Sequence, residues 1–196
     1  MPKPLSKSGA ITLRKLTFYD ASKSSEPQNK LIYFLKRNKN RRIVEYCAQN
    51  LAKLVREELD ILELSNDNVF VLGVPRSKKA IAKHGHDQSA LIAKALAKEI
   101  GARYLPIIKR RIGGKEQKKL TAAGRVKNVK TLFERIPEKT GNQYKGKSAI
   151  LIDDVATTGA SMAAVTDLLR RGGVKNTVCV CLSATPEKIE KKNKKI

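Results

Sequence analysis

Two adjacent carboxylates, Asp153 and Asp154, stand directly after the apolar run Ala149-Ile150-Leu151-Ile152 and directly before Val155-Ala156-Thr157-Thr158-Gly159-Ala160-Ser161. Side by side at the end of a buried strand, two acids are costly unless a sugar diol, a cation or both satisfy them. The residues that follow supply three hydroxyls, a glycine that lets backbone approach a ligand, and the unpaired amides of a helix start. That combination makes an anion site suited to a phosphate monoester. Carboxylates for a diol beside a cradle for a phosphate fit one end of a phosphoribosyl group. A helix capped by aspartates would explain a lone acidic pair, but not the whole string.

A second chemical segment follows the apolar run Val69 to Leu72, where Gly73-Val74-Pro75-Arg76-Ser77-Lys78 gives a tight turn with two cations and exposed amides. A third is Lys109 to Lys127, where Gly113, Gly114 and Gly124 lie among lysines and arginines with little to bury. So long a loop is unusual in a compact domain, and function or disorder are the usual reasons. Gly141 to Ser148 matches the phosphate-loop pattern GxxxxGK[ST] letter for letter. Such a loop follows a strand and opens a helix, whereas this one runs into the strand at Ala149, so we read a chance match in a polar turn. His84 and His86 flank a glycine with no metal partner set and read as loop residues near a site. Cys47, Cys179 and Cys181 form no CxxC pair, which argues against a disulfide framework or structural zinc. The alternation of Cys179 and Cys181 puts both thiols on one strand face, as small buried residues.

The elements that must position these residues alternate strand and helix. Ile11 to Tyr19 alternates imperfectly, as an edge strand does. Leu31, Ile32, Phe34 and Leu35 give a short amphipathic helix. Ile43, Cys47, Leu51, Leu54 and Val55 share the face of a longer one. Val69 to Leu72 reads as a strand buried on both faces. Asp87 caps a helix through Ile100, with Gly101 as its stop. Tyr104 to Ile108 is a further strand that Pro106 places at an edge or a bulge. Ala149 to Ile152, a helix over Ala160 to Arg171, and a strand over Thr177 to Leu182 complete the series. Alternation of this kind predicts an α/β fold with a parallel sheet and helices on both faces.

The chain has 196 residues, 41% of them hydrophobic, which suits one domain with a proper core. We divide it into a loose N-terminal segment over residues 1–30 with the edge strand, a domain over 31–185 and a basic tail over 186–196. No apolar run approaches a membrane span and no secretory signal opens the chain, so the expectation is a cytoplasmic protein with no membrane partner. The net charge of +23 favours polyanionic partners: nucleic acid, phosphorylated substrates or an anionic surface. Helical stripes near the N-terminus would also serve a homodimer.

The string from Ile150 to Ser161 resembles the signature of type I phosphoribosyltransferases, an apolar strand, two acids and then Thr-Thr-Gly with small residues. Val74-Pro75-Arg76-Ser77-Lys78, Gly85-His86-Asp87-Gln88, and Gln117-Lys118-Lys119-Leu120 with Arg125, Asn128 and Phe133 resemble the ComF branch, competence-associated and amidophosphoribosyltransferase-like. The similarity runs from about Leu31 to Thr185. It departs at two places: the four-cysteine zinc module that often begins ComF proteins is lacking, and His84-Gly85-His86-Asp87-Gln88 stands where Arg-Gly-Phe-Asn-Gln is usual.

The resemblance implies a parallel-sheet type I phosphoribosyltransferase fold with a flexible basic loop. It implies binding of 5-phosphoribosyl-1-pyrophosphate with magnesium, and transfer of the phosphoribosyl group to a nitrogenous acceptor that the sequence does not identify. Asp153 and Asp154 would be the catalytic pair, holding the ribose hydroxyls and the Mg2+ ion, directly or through substrate and water. Val155, Ala156, Thr157, Thr158, Gly159, Ala160 and Ser161 would wrap the 5-phosphate. Pro75, Arg76, Ser77 and Lys78 would form the pyrophosphate turn. Arg110, Arg111, Lys118, Lys119 and Arg125 would be the cations of the loop that closes over the site. The rival expectation is a non-catalytic regulatory or competence-related protein that binds phosphoribosyl pyrophosphate, single-stranded nucleic acid or both.

Overall fold

The strands and helices follow from where apolar runs meet chain breakers. The computed structural model describes residues 12–18, 26–37, 39–111, 132–136 and 142–185. In chain order the elements begin with β1 (Thr12–Phe18), α1 (Pro27–Arg37), α2 (Arg41–Ile61) and β2 (Val69–Gly73). Next come α3 (Lys78–His84), α4 (Gln88–Glu99), β3 (Arg103–Tyr104), β4 (Ile108–Arg110) and β5 (Phe133–Arg135). The series ends with β6 (Ser148–Ala156), a helix we label α5 (Ala160–Arg171), and β7 (Thr177–Ala184). A short 3-10 turn over Asn66–Asn68 leads into β2.

Among the described residues one sheet has five strands in the order β1-β7-β6-β2-β3, every pairing parallel. Ile32 and Leu35 of α1, Val44 to Leu59 of α2 and Ile92 to Ala97 of α4 pack on one face, against Val71, Ile150, Ile152 and Val180. Met162, Val165 and Leu169 of α5 cover the other, against Leu72, Leu151, Cys179 and Cys181. The parallel sheet covered on both faces is therefore as the alternation predicts. Local signals act as read: Asp87 Oδ1 accepts from Ala90 N at 3.1 Å to cap α4, and Gly101 follows its end with φ 70°. None of the described helices is long and apolar enough to cross a membrane.

Three boundaries differ from expectation. Tyr104 to Ile108 is not one strand: β3 ends at Tyr104, and the chain leaves the sheet edge before re-forming as β4. Pro106 lacks the N–H that a continuous ladder needs. The basic segment from Lys109 does not begin as loop, because Ile108 and Arg110 pair antiparallel with Arg135 and Phe133. The third predicted strand extends from Ala149–Ile152 to Ser148–Ala156, so the acid pair lies inside β6. Its ladder continues through the acids, with Asp153 opposite Cys181 and Val155 opposite Ser183.

Arg14 of β1 pairs with Glu58 of α2, a carboxylate only 4% exposed. This ion pair fastens the edge strand to the helical layer. All three cysteines are free and buried, and burial pushes the Cys179 thiol up to about 11 and Cys181 to about 12. They are packing residues, as the alternation of the strand predicts.

Candidate functional site

β2 and β6 are neighbours, yet β3 lies beyond one and β7 beyond the other. Where strand order reverses in this way, the loops after the two strands part and leave a crevice at the carboxyl end of the sheet. Gly73 is opposite Ile152 and Val74 N donates to Ile152 O at 2.8 Å, so the turn after β2 emerges beside Asp153. Gly73 is needed at this point. A Cβ there would lie 2.7 Å from the backbone carbon and oxygen of Ser89 and 2.8 Å from Ala90 N. Only a residue without a side chain lets β2 approach the start of α4 so closely.

That approach brings Ser89 to the acids. Its hydroxyl donates to Asp153 Oδ1 at 3.1 Å, and the same oxygen accepts from the Asp154 amide at 2.9 Å. Burial first, and then the neighbouring Asp154 charge, push the Asp153 carboxyl up to about 8. Asp154 is 5% exposed; its Oδ1 accepts from Val155 N at 2.9 Å, while its buried Oδ2 accepts no hydrogen bond. Arg76 Nη2 stands 3.5 Å from that oxygen, an ion pair without a hydrogen bond. A buried carboxylate oxygen of this kind suits a cation or a hydroxyl donor. Among the described residues no group of three or more His, Cys, Asp or Glu side chains gathers. A cation at the pair would find no third carboxylate, imidazole or thiolate ligand among the described residues.

Arg76 is held from behind. Its amide donates to Asp87 Oδ2 at 3.2 Å and its guanidinium to Gln88 Oε1. Gln88, 1% exposed, donates in turn to Lys36 O at 3.3 Å, and His86 Nε2 lies 3.0 Å from Leu35 O. The block at His84 to Gln88 thus ties the turn after β2 to the end of α1. Of the two histidines read as loop residues, His86 lies in the loop before α4 and is buried, whereas His84 is the last residue of α3.

The loop after β6 behaves differently. Thr157 and Thr158 are exposed, and Gly159 opens α5 with φ 67°, a conformation side chains disfavour. Gly159 has no side chain to cap α5; the Ala160 amide donates to Thr158 Oγ1 at 3.4 Å, a long bond, at a helix start whose amides have no i−4 carbonyl partner. Thr185 closes the far side, donating from its hydroxyl to Thr157 O at 2.6 Å and from its amide to Ala156 O at 3.0 Å.

The structure therefore brings together Asp153, Asp154, Arg76 and the Val155 to Ser161 loop at one end of the sheet. Ser77 is spent as the cap of α3, accepting from Ala80 N at 3.1 Å, and Lys78 is the exposed first residue of that helix. Pro75 lies between them and β2. Arg110 and Arg111 are not placed beside the acids: they lie on the β4-β5 hairpin, Arg110 over the Phe133 ring at 5.6 Å and Arg111 3.2 Å from Glu134. Lys118, Lys119 and Arg125 lie outside the described residues. Within the phosphate-loop match, residues 142–146 form a turn that leads into β6 at the amino end of the strands and opens no helix. Sequence reasoning missed Ser89. A lone serine in an amphipathic helix carries no signal until the fold brings it to Asp153.

A model of the phosphoribosyl transferase domain family matches residues 38–196. Among curated proteins, the DNA utilization protein YhgH of Escherichia coli is 27% identical over 117 residues, covering 59% of this chain and 49% of that protein. Its Salmonella typhi counterpart is 28% identical over 143 residues, covering 70% and 60%. The chain thus spans about half to three fifths of the length of these curated relatives. Among solved structures, a purine phosphoribosyltransferase from Pyrococcus horikoshii superposes with TM-score 0.42 at 18% identity, covering 73% of each chain. An adenine phosphoribosyltransferase from Saccharomyces cerevisiae gives 0.43 at 20%, covering 70% of this chain and 68% of that one. With both scores below one half, the weight rests on the family match.

Proposed function

The chain belongs to the phosphoribosyl transferase domain family, and from that premise we propose that it binds 5-phosphoribosyl-1-pyrophosphate with Mg2+ and passes the phosphoribosyl group to a nitrogenous acceptor. The observation that carries this reading is one juxtaposition. Two carboxylates, one with a buried oxygen that accepts no hydrogen bond, share the end of the sheet with an uncapped helix start and a cationic turn.

In this reading Asp153 and Asp154 hold the ribose hydroxyls, and they are the residues that would hold Mg2+, with substrate oxygens and water completing its shell. The ion, when bound, offsets the charge that grows on the departing pyrophosphate. The Ala156 to Ser161 loop holds the 5-phosphate through amides and hydroxyls, fixing the sugar by its far end. Transfer breaks the bond from the anomeric carbon to pyrophosphate and forms a bond to nitrogen, through a transition state with positive charge on the ring. Holding ribose at both ends orients that carbon for attack from the acceptor side. Arg76 turns from Asp154 toward the pyrophosphate as the carboxylates take up their new partners, and Gln88 keeps its guanidinium over the site. Lys118, Lys119 and Arg125 are candidates for the remaining pyrophosphate charge.

Turnover is tested by measuring pyrophosphate released from phosphoribosyl pyrophosphate and Mg2+ across a panel of acceptors, including ammonia and nucleobases. Release that requires one acceptor, and is lost in Asp153→Asn/Asp154→Asn, is the expected result. Binding without acceptor-dependent release by any of them would leave a sensor of the same ligand and remove the transferase assignment.

A further inference from the structure

A buried carboxylate oxygen without a donor, beside a guanidinium, needs an explanation. Asp154 Oδ2 accepts no hydrogen bond, yet Arg76 Nη2 stops 3.5 Å from it. Charge-assisted contacts of this kind close to about 2.7–2.9 Å when nothing opposes them. The Asp154 side chain is 6% exposed and that of Arg76 20%, so solvent does little to screen the attraction between them.

What opposes closure is a hold from behind. Gln88 Oε1 accepts from the Arg76 guanidinium, and Asp87 Oδ2 accepts from Arg76 N at 3.2 Å. The orientation of the Gln88 amide is forced. A guanidinium only donates and Lys36 O only accepts, so Oε1 must face Arg76 and Nε2 must face Lys36 O, 3.3 Å away. Gln88 is not free to follow the arginine. It is 1% exposed at the first position of α4, and its Nε2 lies 3.4 Å from His86 Nε2, itself 3.0 Å from Leu35 O. Both carbonyls belong to the last turn of α1, where the helix supplies no partner of its own.

We propose that Gln88 is a positioning residue that arrests Arg76 short of Asp154 and so keeps Oδ2 open to the ligand. The proposal rests on the reading of the acid pair as the site of phosphoribosyl pyrophosphate and Mg2+. Without Gln88 the guanidinium closes on Asp154, and ligand binding must first displace an internal ion pair. Two substitutions separate this role from a structural clasp between α1 and α4. Gln88→Met keeps a long side chain but neither holds Arg76 nor donates to Lys36 O. Gln88→Glu keeps the acceptor for Arg76 and loses only the donor. Both break a clasp, but only the first releases the arginine.

Crystal structures of the ligand-free variants read the arrest directly. In Gln88→Met we expect Arg76 within hydrogen-bonding distance of Asp154 Oδ2, and in Gln88→Glu we expect it to stay on the new carboxylate. Calorimetric titration of the full chain with phosphoribosyl pyrophosphate over a range of Mg2+ reads the consequence. Gln88→Met should need about tenfold more Mg2+ for half-maximal binding, the weight of one hydrogen bond between charged groups, and Gln88→Glu should recover most of that loss. Thermal unfolding checks each fold, and if Gln88→Met does not fold, Gln88→Asn, too short to reach both partners, takes its place. The proposal is overturned if Arg76 keeps its wild-type distance from Asp154 once Gln88 is replaced by Met or Asn. It also falls if Gln88→Glu needs as much Mg2+ as Gln88→Met. If wild type binds no phosphoribosyl pyrophosphate, the reading of the acid pair fails, and the crystal structures alone still decide whether Gln88 arrests Arg76.

Discussion

At Asp153 the ligand-free protein keeps a carboxyl that holds its proton up to about pH 8, against an ordinary value of 3.8. The folded state therefore binds one proton more than the unfolded chain between those limits. Stability from this group is full below the unfolded value and is lost as pH rises through 8, by up to about 1.4 kcal/mol for each unit crossed. Asp153→Asn removes the titration. We expect urea unfolding of the ligand-free variant to be flatter than wild type from pH 5 to 8, and the variant to be more stable at pH 8; a parallel pair of curves would contradict the assignment. Gln88→Leu should act in the opposite direction, costing about 1–3 kcal/mol because Arg76 and Lys36 O lose a buried partner. The acid pair and its loop were legible because rare residue types stand consecutively. Ser89 and the Gln88 clasp on Arg76 were not, because each acquires a role only from a residue far away in the chain.

At the scale of elements, local chemistry spoke clearly where an element ends on its own residues. Asp87 and Gly101 bound α4 as read, and the glycine-rich stop after Arg171 bounds α5. It failed where pairing is non-local. β4 hides in a basic segment because its partner Phe133 stands 23 residues after Arg110, and β6 runs on through two acids because its ladder to β7 ignores side-chain polarity. Two substitutions test how the elements are joined. Gly73→Ala must push β2 away from the α4 backbone and should cost about 2–3 kcal/mol by urea unfolding, with weaker ligand binding. Arg14→Leu leaves Glu58 buried without its cation, and should cost about 3 kcal/mol. Arg14→Leu/Glu58→Leu should recover most of that loss.

For the whole molecule, the strands of the parallel sheet and its covered faces were legible from the alternation, but the β4-β5 pair and the order β1-β7-β6-β2-β3 were not. Periodicity shows which faces are apolar, not which strands become neighbours. The reversal between β2 and β6 follows from that order, and it is what sets the Arg76 turn beside residues some 77 positions later in the sequence. A ligand that bridges those loops should stabilise the entire fold, by about 2.7 kcal/mol at a hundredfold excess over Kd. For a chain of this size that corresponds to a Tm rise of roughly 5–10 °C. The most direct measurement is calorimetric titration of the full chain with phosphoribosyl pyrophosphate, with and without Mg2+, on wild type and Asp153→Asn/Asp154→Asn. The account predicts saturable 1:1 binding to wild type that Mg2+ strengthens and the double variant abolishes. No heat of binding to wild type, or equal binding by a folded double variant, would contradict it.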